Sequence, residues 1–438
     1  MKIQTPARAS LNSRADPPTR RDALLLLVGS AMGLTSCGGG GVGTSLAGVS
    51  SGGTGSFTSG TIVGFGSVIV NGVRYNDANA KVNDVDGDDH TGQGALKLGM
   101  VVAVDGGAKS VAQAGLNYTA EAAASRIAFL TELKGPVSGV DDVALTVLGQ
   151  RVRQTLTTVV DGAVKTFAAI TPQHEVEVYG IWDDFAQEWQ ATRIEVSVAP
   201  PSFYRLAGEV SDLSMQTRTL RIGGQSVDFN GLSLDAAIGN GSRVRAVLNP
   251  GHAAGTAWVA TAIRLADLSA TPLVGWSSTE RDGQELELEG VVSGLDGQRF
   301  KVQGVAVDGT GVSSVGSLTE GARVEVKGQL SGATLVAREI KSKSDRDRSD
   351  QGFELHGVIS ASTASDFMLR GFTITYDSQT IGAENVVDGR GVEAKVALQA
   401  DGTWRAMQIE VDGDATSTGS SNDHEGEDSD SEDEDDGD

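Results

Sequence analysis

The sequence predicts an all-β protein built from about five tandem small β-barrel modules. These lie between a signal-bearing N-terminal segment and an acidic C-terminal tail. Three observations carry this expectation. One pattern of about 65–80 residues recurs five times and fills nearly everything up to residue 412. Each copy contains short runs in which apolar and polar residues alternate, the period of a strand with one covered face. The 58 Gly against 9 Pro supply tight turns rather than a disordered chain.

Each copy opens with Gly and one or two apolar residues: Gly60-Thr61-Ile62, Gly135-Pro136-Val137, Gly208-Glu209-Val210, Gly290-Val291-Val292 and Gly357-Val358-Ile359. A second Gly, at 72, 149, 224, 304 or 371, then stands between two alternating runs, as in Val68-Ile69-Val70-Asn71-Gly72-Val73-Arg74-Tyr75. Such runs read as β-hairpins whose tip needs a positive φ, which Gly tolerates. Asn71-Gly72 is the strongest of these turn signals. A third alternating element follows, clearest in His174-Glu175-Val176-Glu177-Val178-Tyr179 and Ala322-Arg323-Val324-Glu325-Val326-Lys327. Its charged residues are expected on a wet face. Each copy closes on a short strand carrying Ile127, Ile194, Ile263, Ile340 or Ile409, at spacings of 67, 69, 77 and 69 residues.

Four or five short strands without a long helix fit a closed barrel, because closure removes exposed sheet edges. An OB-like, five-stranded form is preferred, with a two-sheet sandwich as the alternative. Modules this small bury little surface alone. Neighbouring copies are therefore expected to touch, giving a string of partly coupled beads. The expected boundaries are a signal peptide at 1–36, a Gly/Ser tether at 37–58, and modules at 59–130, 131–200, 201–270, 271–345 (with a linker) and 346–412. The acidic tail occupies 413–438.

The N-terminus reads as an export signal. Lys2, Arg8, Arg14, Arg20 and Arg21 precede an apolar stretch from Ala23 to Gly33, too short for a stable transmembrane span. Leu34-Thr35-Ser36-Cys37 resembles a bacterial lipobox, and Cys37, the sole cysteine, reads as a lipid anchor better than as half a disulfide. Arg20-Arg21 within Thr19-Arg20-Arg21-Asp22-Ala23-Leu24 resembles a twin-arginine signal. The expected location is the cell envelope, lipid-anchored at the outer membrane and facing the periplasm or the cell surface.

The chain carries a formal charge of −23, and residues 412–438 hold 13 Asp or Glu and no Lys or Arg. An acidic surface disfavours phosphate backbones, so nucleic acid is not an expected partner. The tail reads as a solubilising segment, with loose binding of Ca2+, Mg2+ or a basic partner as the functional alternative. Asp84, Asp86 and Asp88, in Asp84-Val85-Asp86-Gly87-Asp88-Asp89-His90, are weak metal candidates. They imitate the start of a calcium loop, but Asp89 takes the place of the required Gly and Ala95 that of the bidentate Glu. The five His are spread over different copies and the tail, with no HExxH and no Cys pair, so zinc is not expected. No GxSxG or other nucleophile motif occurs. No catalytic residue is assigned and no cofactor beyond a weak cation is implied. Trp182, Trp189, Trp258 and Trp404 are expected to cap barrel cores, or else to line a carbohydrate or peptide groove.

Gly64-Phe65-Gly66-Ser67-Val68-Ile69-Val70-Asn71-Gly72-Val73-Arg74-Tyr75, followed by Leu96-Lys97-Leu98-Gly99-Met100-Val101-Val102, resembles the repeated envelope module known as domain of unknown function 5666. The resemblance extends over about residues 59–412 and is most specific in the first copy and in Gly290 to Ile340; copies two and three depart most from it. It implies tandem modules in a lipid-anchored envelope protein and no activity. The expected function is a non-catalytic binding or spacer array for an envelope protein or glycan. The alternatives are a glycan-acting envelope enzyme and a divalent-cation-binding envelope protein. An enzyme should show one module that breaks the repeat to form a deep pocket, whereas an array should show equivalent shallow surfaces.

Overall fold

The computed structural model describes residues 55–85, 92–111, 118–129, 131–251, 255–266 and 282–412. It is mostly β, and each copy contributes five principal strands. In copy one they are Ser56–Phe65, Val68–Val70, Val73–Asn76, Val101–Gly106 and Ala120–Phe129. Copy two has Leu133–Val140, Ala144–Val147, Gln150–Arg153, Glu175–Asp183 and Glu188–Ser197. Those of copy three are Tyr204–Ser214, Thr219–Ile222, Gln225–Asp228, Arg243–Leu248 and Trp258–Leu265. Copy four uses Glu285–Asp296, Arg299–Val302, Val305–Asp308, Arg323–Ser331 and Thr334–Ser342. Copy five uses Phe353–Val358, Asp366–Leu369, Phe372–Thr375, Gly391–Leu398 and Trp404–Val411. The closing strands, expected to be short, run eight to ten residues.

One pairing order recurs. Strand one pairs antiparallel with strands two and four, two with three, and four with five, while three and five run parallel. In copy four this is the circuit Val292↔Val302, Val302↔Val305, Val307↔Leu335, Val326↔Ile340 and Leu288↔Val326. Ladders close the same circuit in copies one to three. In copy five a Ser360–Met368 bridge spans the gap between strands one and two. Three further short strands, Lys81–Asp84, Ser110–Val111 and Val159–Gly162, lie against the fifth strands of copies one and two.

Closure requires strand one to bend, because its first half pairs with strand four and its second half with strand two. In copy four Glu285–Val291 pair with strand four and strand two takes over at Val292, with a register shift between Ser293 and Asp296. The opening Gly of each repeat sits just before that switch, under the hairpin tip. A Cβ at Gly60 would stand 2.5 Å from Asn71, at Gly135 2.9 Å from Leu148, and at Gly290 2.6 Å from Val302 and 3.0 Å from Gln303. At Gly357 it would stand 3.2 Å from Arg370. The two Gly signals of the repeat are thus one device: the first removes the side chain that the second would fold onto. All five tips are two-residue turns with both φ positive, from Asn71-Gly72 (51° and 73°) to Arg370-Gly371 (51° and 83°). The residue before the tip Gly often reaches back across the bend. Asn71 Nδ2 donates to the Ser59 carbonyl at 3.1 Å, Arg370 Nη1 to that of His356 at 3.2 Å, and Gln303 Nε2 to that of Glu289.

The copies do not form a string. Three ladders join them, and all run between first strands, whose two halves each leave one edge unused by their own barrel. Copy one pairs parallel with copy four (Ser56–Ser59 with Glu285–Leu288) and with copy five (Gly64–Phe65 with Glu354–Leu355). Copies two and three pair antiparallel through Leu133↔Leu206 and Lys134↔Arg205. Neighbouring copies touch as expected, for example Lys97 of copy one with Glu195 of copy two at 2.7 Å, but the strand pairing does not follow chain order: an uncovered half-edge pairs with whichever first strand can reach it. The apolar interior follows this grouping. One core joins copies one and five and takes in Val159 and Tyr179 of copy two, a second joins copies two and three, and a third fills copy four with Phe57, Ala103 and Ala128 of copy one. Among the described residues no helix is long and apolar enough to cross a membrane.

Strands four and five form a hairpin with a register shift in every copy, falling at Tyr179/Gly180 and Lys327/Gly328 in copies two and four. A Cβ at Gly328 would collide with the Val336 carbonyl oxygen and stand 2.9 Å from the Ala337 Cα. Gly328→Ala should lower unfolding stability by about 1–3 kcal/mol. Gly316→Ala, whose added Cβ meets nothing within 4 Å, should stay within about 0.5 kcal/mol of wild type. Urea titrations of both variants check this, and equal midpoints would remove the bulge from the account.

Candidate functional site

Cys37, Arg20, Arg21, Asp86, Asp88 and the acidic residues beyond 412 lie outside the described residues. Asp84 lies within them, and not on an acidic surface loop. It ends the strand Lys81–Asp84 and is buried, with its carboxylate 3.8 Å from the equally buried Arg205 guanidinium of copy three. A carboxylate sealed against arginine by a neighbouring copy is an ion pair across a seam.

The four tryptophans separate. Trp258 and Trp404 complete cores, edge-on to Tyr204 at 5.7 Å and to Phe353 at 5.2 Å. Trp189 is buried and donates to Gln150 Oε1 at 2.7 Å. Trp182 packs against Trp189, with ring centroids 5.3 Å apart. The Arg243 guanidinium of copy three lies 4.7 Å over Trp182 and 5.1 Å over Trp189. This stack lines a cavity of about 370 Å³ where copies one to four meet. Ser59, Glu209, Lys301 and Gln303 add polar groups from the other copies. Asp184 at the wall is already engaged, accepting from Trp182 Nε1 at 2.6 Å and lying 3.8 Å from Arg243. The cavity therefore belongs to no single copy, neither a pocket from a broken repeat nor one of several equal shallow grooves.

A second group was missed by sequence reasoning. Glu354 and His356 stand two apart on strand one of copy five, hence on one face, and Glu393 is the cross-strand partner of His356. His356 Nε2 lies 2.6 Å from Glu354 Oε1 and 3.6 Å from Glu393 Oε1, so these three side chains form a possible metal-ligating set. The signal available in the sequence was Glu354-Leu355-His356 on a strand; the third member needed the register. Ligand atoms around a tetrahedral zinc, each about 2.0–2.2 Å from the ion, would stand about 3.4 Å apart. The 2.6 Å separation is instead that of a hydrogen bond, in which imidazole N–H donates to carboxylate. His356 Nδ1 is buried without a hydrogen-bond partner among the described residues, whereas metal-bound imidazoles nearly always engage their second nitrogen. The group reads as a polar seam between copies five and one. Tyr118 of copy one lies 6.1 Å from the His356 ring, and Gly66 leaves room for it where a Cβ would collide with the His356 Cβ.

Burial lowers the pKa of His356 from its ordinary 6.5, and Arg74 and Arg370 act the same way against Glu393 and Asp412. The folded protein thus holds this imidazole neutral while the unfolded chain protonates it. Stability carried by the neutral form is complete above about pH 6.5 and is lost as pH falls toward the lowered value. The melting temperature should fall between about pH 7 and about pH 5, and His356→Gln should flatten part of that slope. An unchanged slope in the variant would place the acid sensitivity elsewhere.

A family model described as a domain of unknown function (DUF5666) matches the chain three times, at residues 134–195, 289–341 and 356–410. These are copies two, four and five. The match thus includes copy two, one of the two copies that depart most from the motif, and does not include copy one, where the motif is most specific. No curated protein matches the chain. Among solved structures, a Drosophila Unr fragment, "CSD456", is similar at 14% identity, covering 48% of this chain and 97% of its own, with a TM-score of 0.12.

Proposed function

We propose that this chain is a lipid-anchored, non-catalytic binding protein of the bacterial cell envelope. In this reading each five-strand circuit is an OB-like barrel, and the five barrels fold back on one another to hold a polar ligand of glycan type. The observation that carries it is the cavity shared by copies one to four, where the Trp182–Arg243 stack meets polar groups of copies one, three and four. Aromatic surface ringed by a few hydrogen-bonding side chains suits the apolar faces and hydroxyl edges of a sugar. One of the carboxylates lining the cavity, Asp184, is held by Trp182 and Arg243, which favours a binding role for that side chain. The anchor rests on the lipobox-like Leu34-Thr35-Ser36-Cys37, and the envelope location follows from it.

Two measurements test the reading. Labelling growing cells with an alkyne fatty acid should mark the protein, and Cys37→Ser should abolish the label and release the protein from membranes. Calorimetry with soluble peptidoglycan fragments should show saturable binding that Trp182→Ala weakens about tenfold or more. Unchanged binding in that variant would exclude this cavity as the glycan site.

A further inference from the structure

A second cavity, of about 390 Å³, lies where copies one, four and five meet, and its character is opposite to that of the chain as a whole. Five cationic side chains line it, Lys327, Lys341, Lys343, Arg348 and Lys395, against two carboxylates, Glu289 and Glu325. A protein of formal charge −23 thus keeps a net positive chamber at one of its junctions.

Part of this charge is spent internally. Glu325 takes Lys343 at 2.6 Å and Lys327 at 3.3 Å, and Glu289 takes Arg323 at 2.8 Å. Arg348 differs. It sits on the helix Asp345–Gln351, a segment of Asp, Arg, Ser and Gln without an apolar residue, and it is the only residue that this helix buries. Its exposure is 8%, and its Nη1 is sealed from solvent with no hydrogen-bond partner among the described residues. No carboxylate of the described residues stands within ion-pair distance. Burial and the neighbouring Arg323 push its pKa down to about 10 against the opposing pull of Glu289 and Asp345, so it remains charged at neutral pH. A charged group taken out of water with no hydrogen bond at Nη1 and no close ion pair is costly to keep, even in the field of Glu289, and a planar fork of N–H donors fits oxyanions. Lys395, on strand four of copy five, likewise has no carboxylate within ion-pair distance among the described residues, and Lys341 has only its half-exposed Glu339 at 3.1 Å.

We infer that this junction is a binding site for a small soluble molecule bearing a phosphate group, with Arg348 as its principal ligand and Lys341 and Lys395 beside it. This goes beyond the proposed glycan cavity, which lies among copies one to four and shares no lining residue with it. Phosphate is favoured over carboxylate because its oxygens accept in several directions. A guanidinium and two ammonium groups supplied by three separate segments line the one chamber and offer donors from different directions. A dianion also suits the excess of cations over carboxylates in the lining, which Glu287 at Lys327 and Glu339 at Lys341 offset in part.

The test is a thermal-shift and calorimetric titration of the full chain with inorganic phosphate, pyrophosphate and citrate, each against sodium chloride of equal ionic strength. Phosphate and pyrophosphate should raise the melting temperature saturably, and pyrophosphate should do so at lower concentration. Arg348→Met should lower the affinity about tenfold to a hundredfold, the range of a lost charge-assisted hydrogen bond. Lys395→Gln, at a less buried strand position, should weaken it several-fold and decides the matter should the arginine variant not fold. No saturable response in the wild-type chain would overturn the inference. So would equal affinity in Lys395→Gln and wild type, or citrate binding as tightly as pyrophosphate.

Discussion

The structure depends on a missing side chain at the bend of strand one. A five-strand circuit closes only if one strand serves two neighbours in succession, and it must then turn sharply while the hairpin of strands two and three comes down over the turn. The Gly60, Gly135, Gly290 and Gly357 positions lie within 2.5–3.2 Å of what the hairpin tip brings with it, measured from where a Cβ would be. Copy three shows the same constraint solved by exchange. Its tip is Gly223-Gly224, with no side chain to reach back, and Gln150 of copy two fills the space and donates to the Ala207 carbonyl. A barrel that lacks one part of the device borrows it from its neighbour, and this locks copies two and three together.

The bend has a second consequence. Because each half of strand one pairs on one side only, every barrel keeps two half-edges, and these are where the copies join. The outward faces of the first strands then lie in seams and carry charge. Glu287 is fully buried between Lys109 of copy one at 2.7 Å and Lys327 of its own copy at 2.6 Å. Glu289 is also buried, which opposes its ionisation. Arg323, Arg348, Lys343 and the Thr61 N–H outweigh that and hold its pKa down to about 2. Paired charges of this kind add little net stability, but they tolerate few alternative partners, so they specify which copies meet. Both cavities arise at such seams, where rounded barrels leave space that strands do not fill.

Much of the fold was legible in the residues. The alternation around Val70, Val147, Ile222, Val302 and Leu369 marked each hairpin, and the tip Gly has positive φ in all five. The core faces were legible as well: Val176 and Val178, or Val324 and Val326, are buried as their period of two requires. The opposite face was not. Arg323 and Glu325 alternate with those valines as solvent-facing residues do, yet both are buried. A strand face of charged residues looks the same whether it meets water or the complementary charges of another copy. The Glu354–His356–Glu393 group was hidden for a related reason, since its third member comes from a strand 37 residues away from His356 and only the register brings it there.

The sequence by itself determined the repeat, the hairpins, the residues of each core and the acidic balance of the chain. These follow from local conformational preference and from a period of two that needs no knowledge of neighbours. The tertiary structure decided that copy one pairs with copies four and five rather than with copy two, that Asp84 answers Arg205, and that Arg348 faces a chamber instead of water. The physical reason is that these outcomes rest on contacts between segments as many as 262 residues apart, such as Thr61 with Arg323. Five similar copies offer many such pairings that local pattern cannot rank, and only the simultaneous fit of edges, glycine clearances and buried charges selects among them.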